Sequence, residues 1–329
     1  MSVVIPYYQR RSGVLLGALR SIFDQRLPEG LHLDVIVVDD SSPIPARGDV
    51  KLLSDREAAG VRILTQANAG PAAARNAGLD AVPHDARYVA FLDSDDRWHP
   101  DHLDTAIAAL EEGYDVYFAN NWVEPGQDWF SAHPRYDMMR KSLGAADLHL
   151  QRLTSGEAVD LLIEEPLLHL STLVFPARRH GSLRFEDALE TGEDHLYSLV
   201  LADRSLGIAV NQTPMMARGS DGVNFYRGAL DWNSPKSAWR ALTTVVKYRR
   251  IADLMSHRAS ITRLAHAKAR VSLDELVYLL MRNGMRYPVA SFAVAAAAWR
   301  RWRWKIFGAI PIAVSLLARR RKGSLEFRT

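Results

Sequence analysis

Three carboxylates stand together at the end of an apolar run. Asp93, Asp95 and Asp96 directly follow residues 88–92, which have the composition of a buried strand. An unpaired ionised carboxylate is very costly in a protein core, so we expect this strand to emerge at an edge of a sheet. An Asp-x-Asp pair there suits a hard divalent cation, Mg²⁺ or Mn²⁺, that also holds phosphate oxygens. A solvated acidic turn before a helix is the structural alternative.

A second acidic pair, Asp39 and Asp40, also ends an apolar run, at 35–38. Strand-like runs alternate here with helical spacings, which predicts an α/β fold with a doubly wound, mostly parallel sheet. Ligands of such sheets bind at the carboxyl ends of the strands, where both acidic pairs fall. We predict strands at 3–5, 35–38, 61–64, 88–92, 115–118, 170–175 and 208–217, helices at 13–25, 72–79, 101–112 and from 193, and a long loop over the site at 122–152.

Composition and charge divide the chain into two parts. The 329 residues are 48% hydrophobic and lack cysteine, which excludes disulfides, thiolate metal sites and cysteine nucleophiles. Residues 235–329 hold 20 Lys and Arg against 4 Asp and Glu, a balance of +16, whereas residues 1–234 have a balance of −13. We therefore predict a catalytic domain at 1–234 and a basic helical region at 235–329 that faces a polyanion. Because strand-like residues begin almost at Met1, we expect no signal peptide.

The basic region contains two apolar segments, 288–299 and 306–318, separated by the arginine-rich stretch 300–305. Neither reaches the roughly 18–20 residues that a membrane span requires. Tryptophans among the arginines favour a helix that lies in the interface of an anionic membrane. A helical hairpin packed on the catalytic domain is the alternative. Nucleic acid is not expected as a partner, since no known binding module surrounds the basic residues.

Five short motifs follow one another in the first 194 residues. They are Val3-Val-Ile-Pro6-Tyr7, Val35-Ile-Val-Val-Asp39-Asp40, Asn68-Ala-Gly70-Pro-Ala-Ala-Ala-Arg75, Asp93-Ser94-Asp95 and Gly192-Glu193-Asp194. In this order and spacing they resemble the family 2 glycosyltransferases of the GT-A fold, over roughly residues 1–220. The resemblance implies an inverting transferase that uses a nucleoside-diphosphate sugar and a divalent metal.

The resemblance also implies roles for individual residues. Pro6 and Tyr7 belong to the uracil-contacting turn, Asp40 binds the pyrimidine base, and Gly70 lies in the glycine and arginine motif. Ser94 stands between Asp93, which contacts the ribose or the sugar, and Asp95, which ligates the metal.

Six further residues have roles that the sequence leaves open. The Arg75 guanidinium matches phosphate oxygens, and a structural salt bridge is its alternative. Asp194 is the expected general base, and a helix-start carboxylate is the alternative. Glu193 is expected to orient the neighbouring loop, and His195 to have a structural role. Arg218 and Ser220 are candidates to close over the diphosphate.

Within the family, the opening segment, the length and the basic tail look like bacterial exopolysaccharide enzymes of the succinoglycan type. These extend a polyprenyl-diphosphate-linked oligosaccharide at the cytoplasmic face of the membrane, which implies a UDP-sugar donor, with UDP-glucose first. The segment Arg300-Arg-Trp-Arg-Trp304 matches a motif of processive synthases, but it lies about 110 residues beyond Asp194. We interpret it as a chance match and expect one sugar per encounter.

Two other functions compete with this interpretation. A sugar-1-phosphate nucleotidyltransferase needs a glycine-rich, basic signature near the first strand, and residues 6–11 lack the glycines. A non-catalytic nucleotide-sugar sensor or scaffold would keep Asp40 and Asp95 without needing Asp194.

Overall fold

The computed structural model describes residues 1–133, 150–189, 191–219, 222 and 231–302. The chain forms two compact units. The first comprises Met1–Ala188 and Glu193–Val223 and contains the sheet. The second comprises Leu189–Gly192 and Asn224–Thr329, and its described elements are helices.

Within the described residues, the sheet of the first unit contains ten strands. They are β1 (Ser2–Tyr7), β2 (Asp34–Asp39), β3 (Val61–Thr65), β4 (Tyr88–Phe91), β5 (Arg97–Trp98), β6 (Val116–Glu124), β7 (Gln127–Asp128), β8 (Leu150–Thr154), β9 (Val174–Pro176) and β10 (Gly207–Ala217). The main path through the sheet is β3-β2-β1-β4-β9-β6-β10-β5, with β7 paired to β6 and β8 to β10.

Helices follow the strands along the chain. In the first unit they are α1 (Val14–Phe23), α2 (Arg47–Val50), α3 (Asp55–Ala59), α4 (Gly70–Asp80), α5 (His102–Glu111), α6 (Ser155–Leu162), α7 (Ala177–His180) and α8 (Glu193–Asp203), and in the second α9 (Lys236–Leu254), α10 (Ala259–Asn283) and α11 (Pro288–Trp302). Short 3₁₀ turns occupy Phe130–Ala132 and Leu170–Thr172.

The predicted α/β fold is confirmed, and the sheet is mixed. Strands β3, β2, β1 and β4 run parallel, as do β6 and β10. Strand β9 joins these groups and is antiparallel to both β4 and β6. The core strands β1, β2 and β4 read as nearly continuous apolar runs because they are buried on both faces.

Two sequence predictions were wrong in detail. The strand predicted at 170–175 begins as the 3₁₀ turn, and only Val174–Pro176 pairs in the sheet. The predicted loop at 122–152 starts as ordered structure, because β6 runs on to Glu124 and pairs with β7. The Asn120 side chain accepts from the Phe130 backbone N–H at 3.0 Å, so a polar segment folds here without apolar periodicity. Residues 134–149 of that loop lie outside the described residues.

The helical unit has its own small core. Its members are mostly alanine and leucine, with Ala241, Leu242, Leu276, Leu279, Val294 and Ala298 among them. Trp232 packs edge-on against Tyr278, with ring centroids 5.4 Å apart. Small residues let the helices pack closely. Within the described residues, no helix is both long and apolar enough to cross a membrane.

Candidate active site

The two acidic pairs that the sequence singles out lie at one edge of the sheet. Strand β1 pairs in parallel with β2, Tyr7 standing opposite Asp39, and in parallel with β4 on its other side. The residues that follow β2 and β4, Asp40 and Asp93, therefore stand at the carboxyl ends of strands on either side of β1. This is the edge at which open α/β sheets bind ligands.

Asp40 is buried and is held by the start of α4. Its Oδ1 accepts from the Ala69 backbone N–H at 2.8 Å and from Gln66 Nε2 at 2.8 Å, and its Oδ2 accepts from the Gly70 N–H at 2.8 Å. A carboxylate can accept about four hydrogen bonds, so Oδ2 keeps capacity for one more donor. Gly70 has φ +89°, a backbone conformation that a side chain would strain. The glycine thus allows the backbone to turn towards Asp40.

Pro6 and Tyr7 lie at the end of β1 beside Asp40. The Tyr7 carbonyl accepts from the Asp40 N–H at 2.9 Å. The Tyr7 ring belongs to the hydrophobic core, and burial, with the negative charges of Asp49 and Asp39, raises the pKa of Tyr7 to about 12. Tyr7 therefore borders the edge with its backbone while its ring packs inside, and Pro6 is half-buried.

The Asp-x-Asp turn is fixed by side chains from other segments. The Asp93 N–H donates to Ser171 Oγ at 3.0 Å, and Ser94 Oγ accepts from Gln9 Nε2 at 2.9 Å. Asp95 is half-buried, and the segment after β10 passes so close that a Cβ on Gly219 would lie 2.0 Å from the Asp95 carbonyl oxygen. Only glycine fits this approach.

Sequence reasoning gave no role to Asp96 and Ser171, which tie three segments together. Ser171 Oγ donates to Asp96 Oδ2 at 2.6 Å, and the Gly219 N–H donates to Asp96 Oδ1 at 3.0 Å. Burial, with the charges of Asp93 and Asp95, raises the pKa of Asp96 to about 8. Asp96 links the Asp-x-Asp turn to the segments before β9 and after β10.

Arg75, on α4, is buried and bridges two acidic residues. Its Nη2 donates to Asp93 at 2.8 Å and its Nη1 donates to Glu193 at 3.1 Å. Burial opposes the charge, but the carboxylates of Asp93 and Glu193 outweigh it and raise the pKa of Arg75. Burial likewise opposes ionisation of Asp93, and the charge of Arg75 lowers the pKa of that carboxyl. The salt bridge that the sequence left as the alternative for Arg75 is present.

The predicted base, Asp194, lies in the first turn of helix α8. Asp194 is half-buried, and its Oδ1 accepts from the His195 N–H at 2.7 Å. Burial, with the charge of Asp194, raises the pKa of Glu193 to about 7. The charge of Asp194 also raises the pKa of Arg75, so the two groups lie within electrostatic reach. His195 is buried, and its Nε2 contacts the Leu162 carbonyl at 2.6 Å, as expected for a structural residue.

One group of side chains among the described residues has the composition and spacing of a metal site. Oxygens of Asp93 and Asp96 and a ring nitrogen of His169 lie within 4.8 Å of one another. Mixed oxygen and nitrogen ligands suit Mn²⁺, and carboxylates beside a diphosphate suit Mg²⁺. The edge therefore fits a divalent metal. Asp95, the predicted ligand, lies between the two carboxylates in sequence but is not in this group, and its metal role stays a prediction.

His169 entered no sequence prediction. Burial, reinforced by the charge of Arg218, lowers the pKa of His169 to about 4, so its ring is neutral at neutral pH. It is brought to the site by the antiparallel pairing of β9 with β4, which follows from no local sequence pattern.

Arg218 is positioned at the same edge. Its guanidinium lies 4.1 Å from the centroid of the Trp129 ring, and its Nε donates to Asn121 at 2.8 Å. Burial lowers the pKa of Arg218, and the charges of Asp96 and Asp93 partly counteract it. The other predicted closing residue, Ser220, lies outside the described residues.

The fold and the site together define the class of protein. A mixed α/β sheet whose edge gathers the buried Asp40, an Asp-x-Asp turn and a helix-start carboxylate matches the GT-A architecture. The model of the family described as "Glycosyl transferase family 2" matches residues 2–158. The chain is 32% identical to the succinoglycan biosynthesis protein ExoW of Rhizobium meliloti, over 97% of this chain and 99% of that protein. The chain belongs to glycosyl transferase family 2 and is a glycosyltransferase.

Other relatives match over shorter stretches. The putative teichuronic acid biosynthesis glycosyltransferase TuaG of Bacillus subtilis is 36% identical over 34% of this chain and 42% of its own length.

Among solved structures, S. aureus TarS 1–349 in complex with UDP-GlcNAc is similar with a TM-score of 0.54 and 17% identity, covering 91% of this chain and 89% of that one. The mannosyltransferase PcManGT of Pyrobaculum calidifontis, in complex with GDP-Man and Mn²⁺, has a TM-score of 0.51 and 18% identity, covering 96% and 79%. At these identities the structures show the fold.

Proposed function

We propose that this glycosyltransferase is inverting and metal-dependent, and that it moves a sugar, expected to be glucose, from a UDP-sugar to an oligosaccharide. The observation that carries the proposal is the bridge made by Arg75. This side chain binds Asp93 of the Asp-x-Asp turn and Glu193, the neighbour of Asp194. One guanidinium thus connects the turn that is proposed to bind the donor with the helix start that carries the proposed base.

The nucleotide would bind between Asp40 and the Asp-x-Asp turn. The remaining lone pair of Asp40 Oδ2 suits the N3–H of uracil, whereas the N3 of cytosine is an acceptor and would be repelled. Asp95 is the residue proposed to hold a divalent metal, and Asp93 the one proposed to contact the ribose or the sugar. Oxygens of Asp93 and Asp96 and a ring nitrogen of His169 lie within 4.8 Å of one another beside it. When bound, that metal supplies positive charge to the leaving diphosphate.

Transfer is proposed as a single displacement. The Asp194 carboxylate takes the proton of an acceptor hydroxyl, and that oxygen forms a bond to the anomeric carbon. The bond from this carbon to the diphosphate oxygen breaks, its electron pair leaves with UDP, and the configuration inverts. An α-linked donor therefore gives a β-linked product.

The biological setting is proposed from the relatives. The similar protein from Rhizobium meliloti is named for succinoglycan biosynthesis and aligns over nearly its whole length. We place this chain in exopolysaccharide biosynthesis, with a polyprenyl-diphosphate-linked acceptor at the cytoplasmic face of the membrane. Solved structures of the same fold hold UDP-GlcNAc or GDP-Man, so the fold accommodates nucleotide sugars.

The basic region 235–329 is proposed to contact that membrane. Three side chains in α11 and in the turn before it are strongly exposed, namely Met285 (95%), Val289 (83%) and Phe292 (76%). Met285 lies in the turn, and Val289 and Phe292, three residues apart, lie on one face of α11. An exposed apolar stripe in a region with a balance of +16 suits a surface of anionic lipids.

Binding and turnover across a panel of donors test the proposal. Purified protein is incubated with UDP-, GDP- and dTDP-sugars, each with Mn²⁺, Mg²⁺ or EDTA. We expect one UDP-sugar to bind and to be hydrolysed slowly with metal, and EDTA to abolish both. If a GDP- or dTDP-sugar bound more tightly than the UDP-sugars, the assignment of UDP would be wrong. If EDTA left binding unchanged, the proposed dependence on a metal would be wrong.

A further inference from the structure

Asn76, which follows Arg75 on α4, fixes a segment that has no regular secondary structure. Its Oδ1 accepts from the Phe185 backbone N–H at 2.8 Å, and its Nδ2 donates to the Phe185 carbonyl at 3.0 Å. Nδ2 also donates to Asp187 Oδ1 at 2.6 Å. The amide thus satisfies both backbone groups of Phe185, as a neighbouring strand would, and determines where the Phe185 side chain stands.

The buried ring of Phe185 packs against two other buried rings. It stacks on Tyr197 of α8, with ring centroids 4.0 Å apart and planes 7° from parallel. Phe91 of β4 lies edge-on to both, with its centroid 5.4 Å from that of Phe185 and 5.9 Å from that of Tyr197. A close-packed core leaves little room for such rings to shift, so the three keep a fixed spacing.

This aromatic cluster, formed by Phe91, Phe185 and Tyr197, connects the two sides of the proposed reaction. Phe91 ends β4, two residues before Asp93 of the Asp-x-Asp turn. Tyr197 follows the proposed base, Asp194, by three residues, which is less than one turn of α8. A displacement of one ring would therefore move α8 relative to the turn.

The Phe185 ring also contacts the bridge made by Arg75. The guanidinium carbon of Arg75 lies over the ring, 5.4 Å from its centroid, a distance at which a cation and an aromatic face attract each other. The same guanidinium binds Asp93 and Glu193. Phe185 thus contacts both connections between the Asp-x-Asp turn and α8, the polar bridge and the aromatic cluster.

We propose that Phe185 is a positioning residue, whose ring holds the start of α8, and with it Asp194, at a set distance from the Asp-x-Asp turn. The inference rests on the proposed transfer by single displacement. In that reaction the attacking oxygen, the anomeric carbon and the leaving oxygen must lie in line, and a misplacement of about 1 Å can lower turnover about 10²-fold. Phe185 touches no reacting atom and acts through Arg75 and α8.

The test compares variants that remove a ring with one that keeps it. The probe is the UDP-sugar that the wild type hydrolyses fastest with Mn²⁺, water taking the place of the acceptor hydroxyl. We expect Phe185→Leu and Tyr197→Leu to lower kcat about 10- to 100-fold, because α8 is displaced. Calorimetry should find the dissociation constant of UDP within about twofold of the wild-type value, since UDP does not need the base. Tyr197→Phe should keep the wild-type kcat, because the hydroxyl that it removes is buried without a hydrogen-bond partner among the described residues.

Phe118→Leu controls for a general loss of core packing. Phe118 is a buried residue of β6 that packs edge-on against Phe130, with ring centroids 6.3 Å apart. Thermal unfolding should show a similar loss of stability in Phe118→Leu and Phe185→Leu, with kcat lowered in Phe185→Leu alone.

Three results would overturn the inference alone. They are an equal fall of kcat in Phe118→Leu and Phe185→Leu, a UDP affinity that falls in Phe185→Leu as much as kcat does, and an unchanged kcat in Phe185→Leu. If Phe185→Leu does not fold, an equal kcat in Tyr197→Leu and Tyr197→Phe would overturn it instead. If the wild type neither binds nor hydrolyses any UDP-sugar, the proposed function is wrong and this inference falls with it.

Discussion

The sheet unit and the helical unit differ in which side chains they bury and which they expose. In the sheet unit the Arg75 side chain is 6% exposed and joins two carboxylates from distant parts of the chain. In the helical unit the large apolar residues Met285, Val289 and Phe292 are exposed instead, within a strongly basic region. Buried, paired charges fix the positions of the side chains that they join. Exposed apolar residues among positive charges suit binding to an anionic membrane surface. We expect mutations in the first unit to affect chemistry and stability, and those in the second to affect location.

Replacing the proposed base should have the largest effect. We expect Asp194→Asn to lower kcat by about 10²–10⁴-fold, because the amide cannot accept the acceptor's proton. The affinity for the UDP-sugar should change little, since this residue is assigned to the acceptor side. Transfer assays and calorimetry measure the two quantities. Asp203→Asn, at the other end of α8, is the matched control, and full turnover by Asp194→Asn would place the base elsewhere.

Removing the bridging guanidinium should mainly cost stability. Arg75→Gln leaves Asp93 and Glu193 without their buried partner, which we expect to lower the free energy of unfolding by about 3–5 kcal/mol. Chemical denaturation measures the change. Arg184→Gln is the control, because Arg184 pairs with Asp80 at the surface, where the expected loss is below about 1 kcal/mol. Equal losses in both variants would contradict the contrast between buried and exposed charges.

The exposed stripe of the helical unit should give the smallest effect in energy. We expect Val289→Glu combined with Phe292→Glu to weaken binding to vesicles containing phosphatidylglycerol about tenfold or more, because two apolar contacts are replaced by repelled charges. Co-sedimentation measures the bound fraction. Leu206→Glu changes a residue that is 80% exposed in the sheet unit and should bind as the wild type does. Unchanged vesicle binding by the double variant would reject the membrane assignment.

The sequence predicted what depends on local pattern. Apolar runs located β1, β2 and β4, and the acidic residues after two of them placed Asp40 and Asp93 at one edge. What it missed depends on long-range pairing. Arg75 and Glu193 are 118 positions apart, and the pairing that brings His169 and Ser171 to the turn comes from the three-residue strand β9. No periodicity can be read from so short a strand.

The position of β9 also bears on which part of the chain can fold. The family match ends at residue 158, before β9 and β10, yet β9 is the strand that joins β4 to β6. A fragment cut at that boundary would leave β4 and β6 as two open edges with unpaired backbone groups, a state prone to aggregation. During synthesis, β4 and β6 therefore cannot be joined in one sheet before residues 174–176 have been made. The segment that matches the family model is thus too short to form the joined sheet, because it ends before the strand that links β4 to β6.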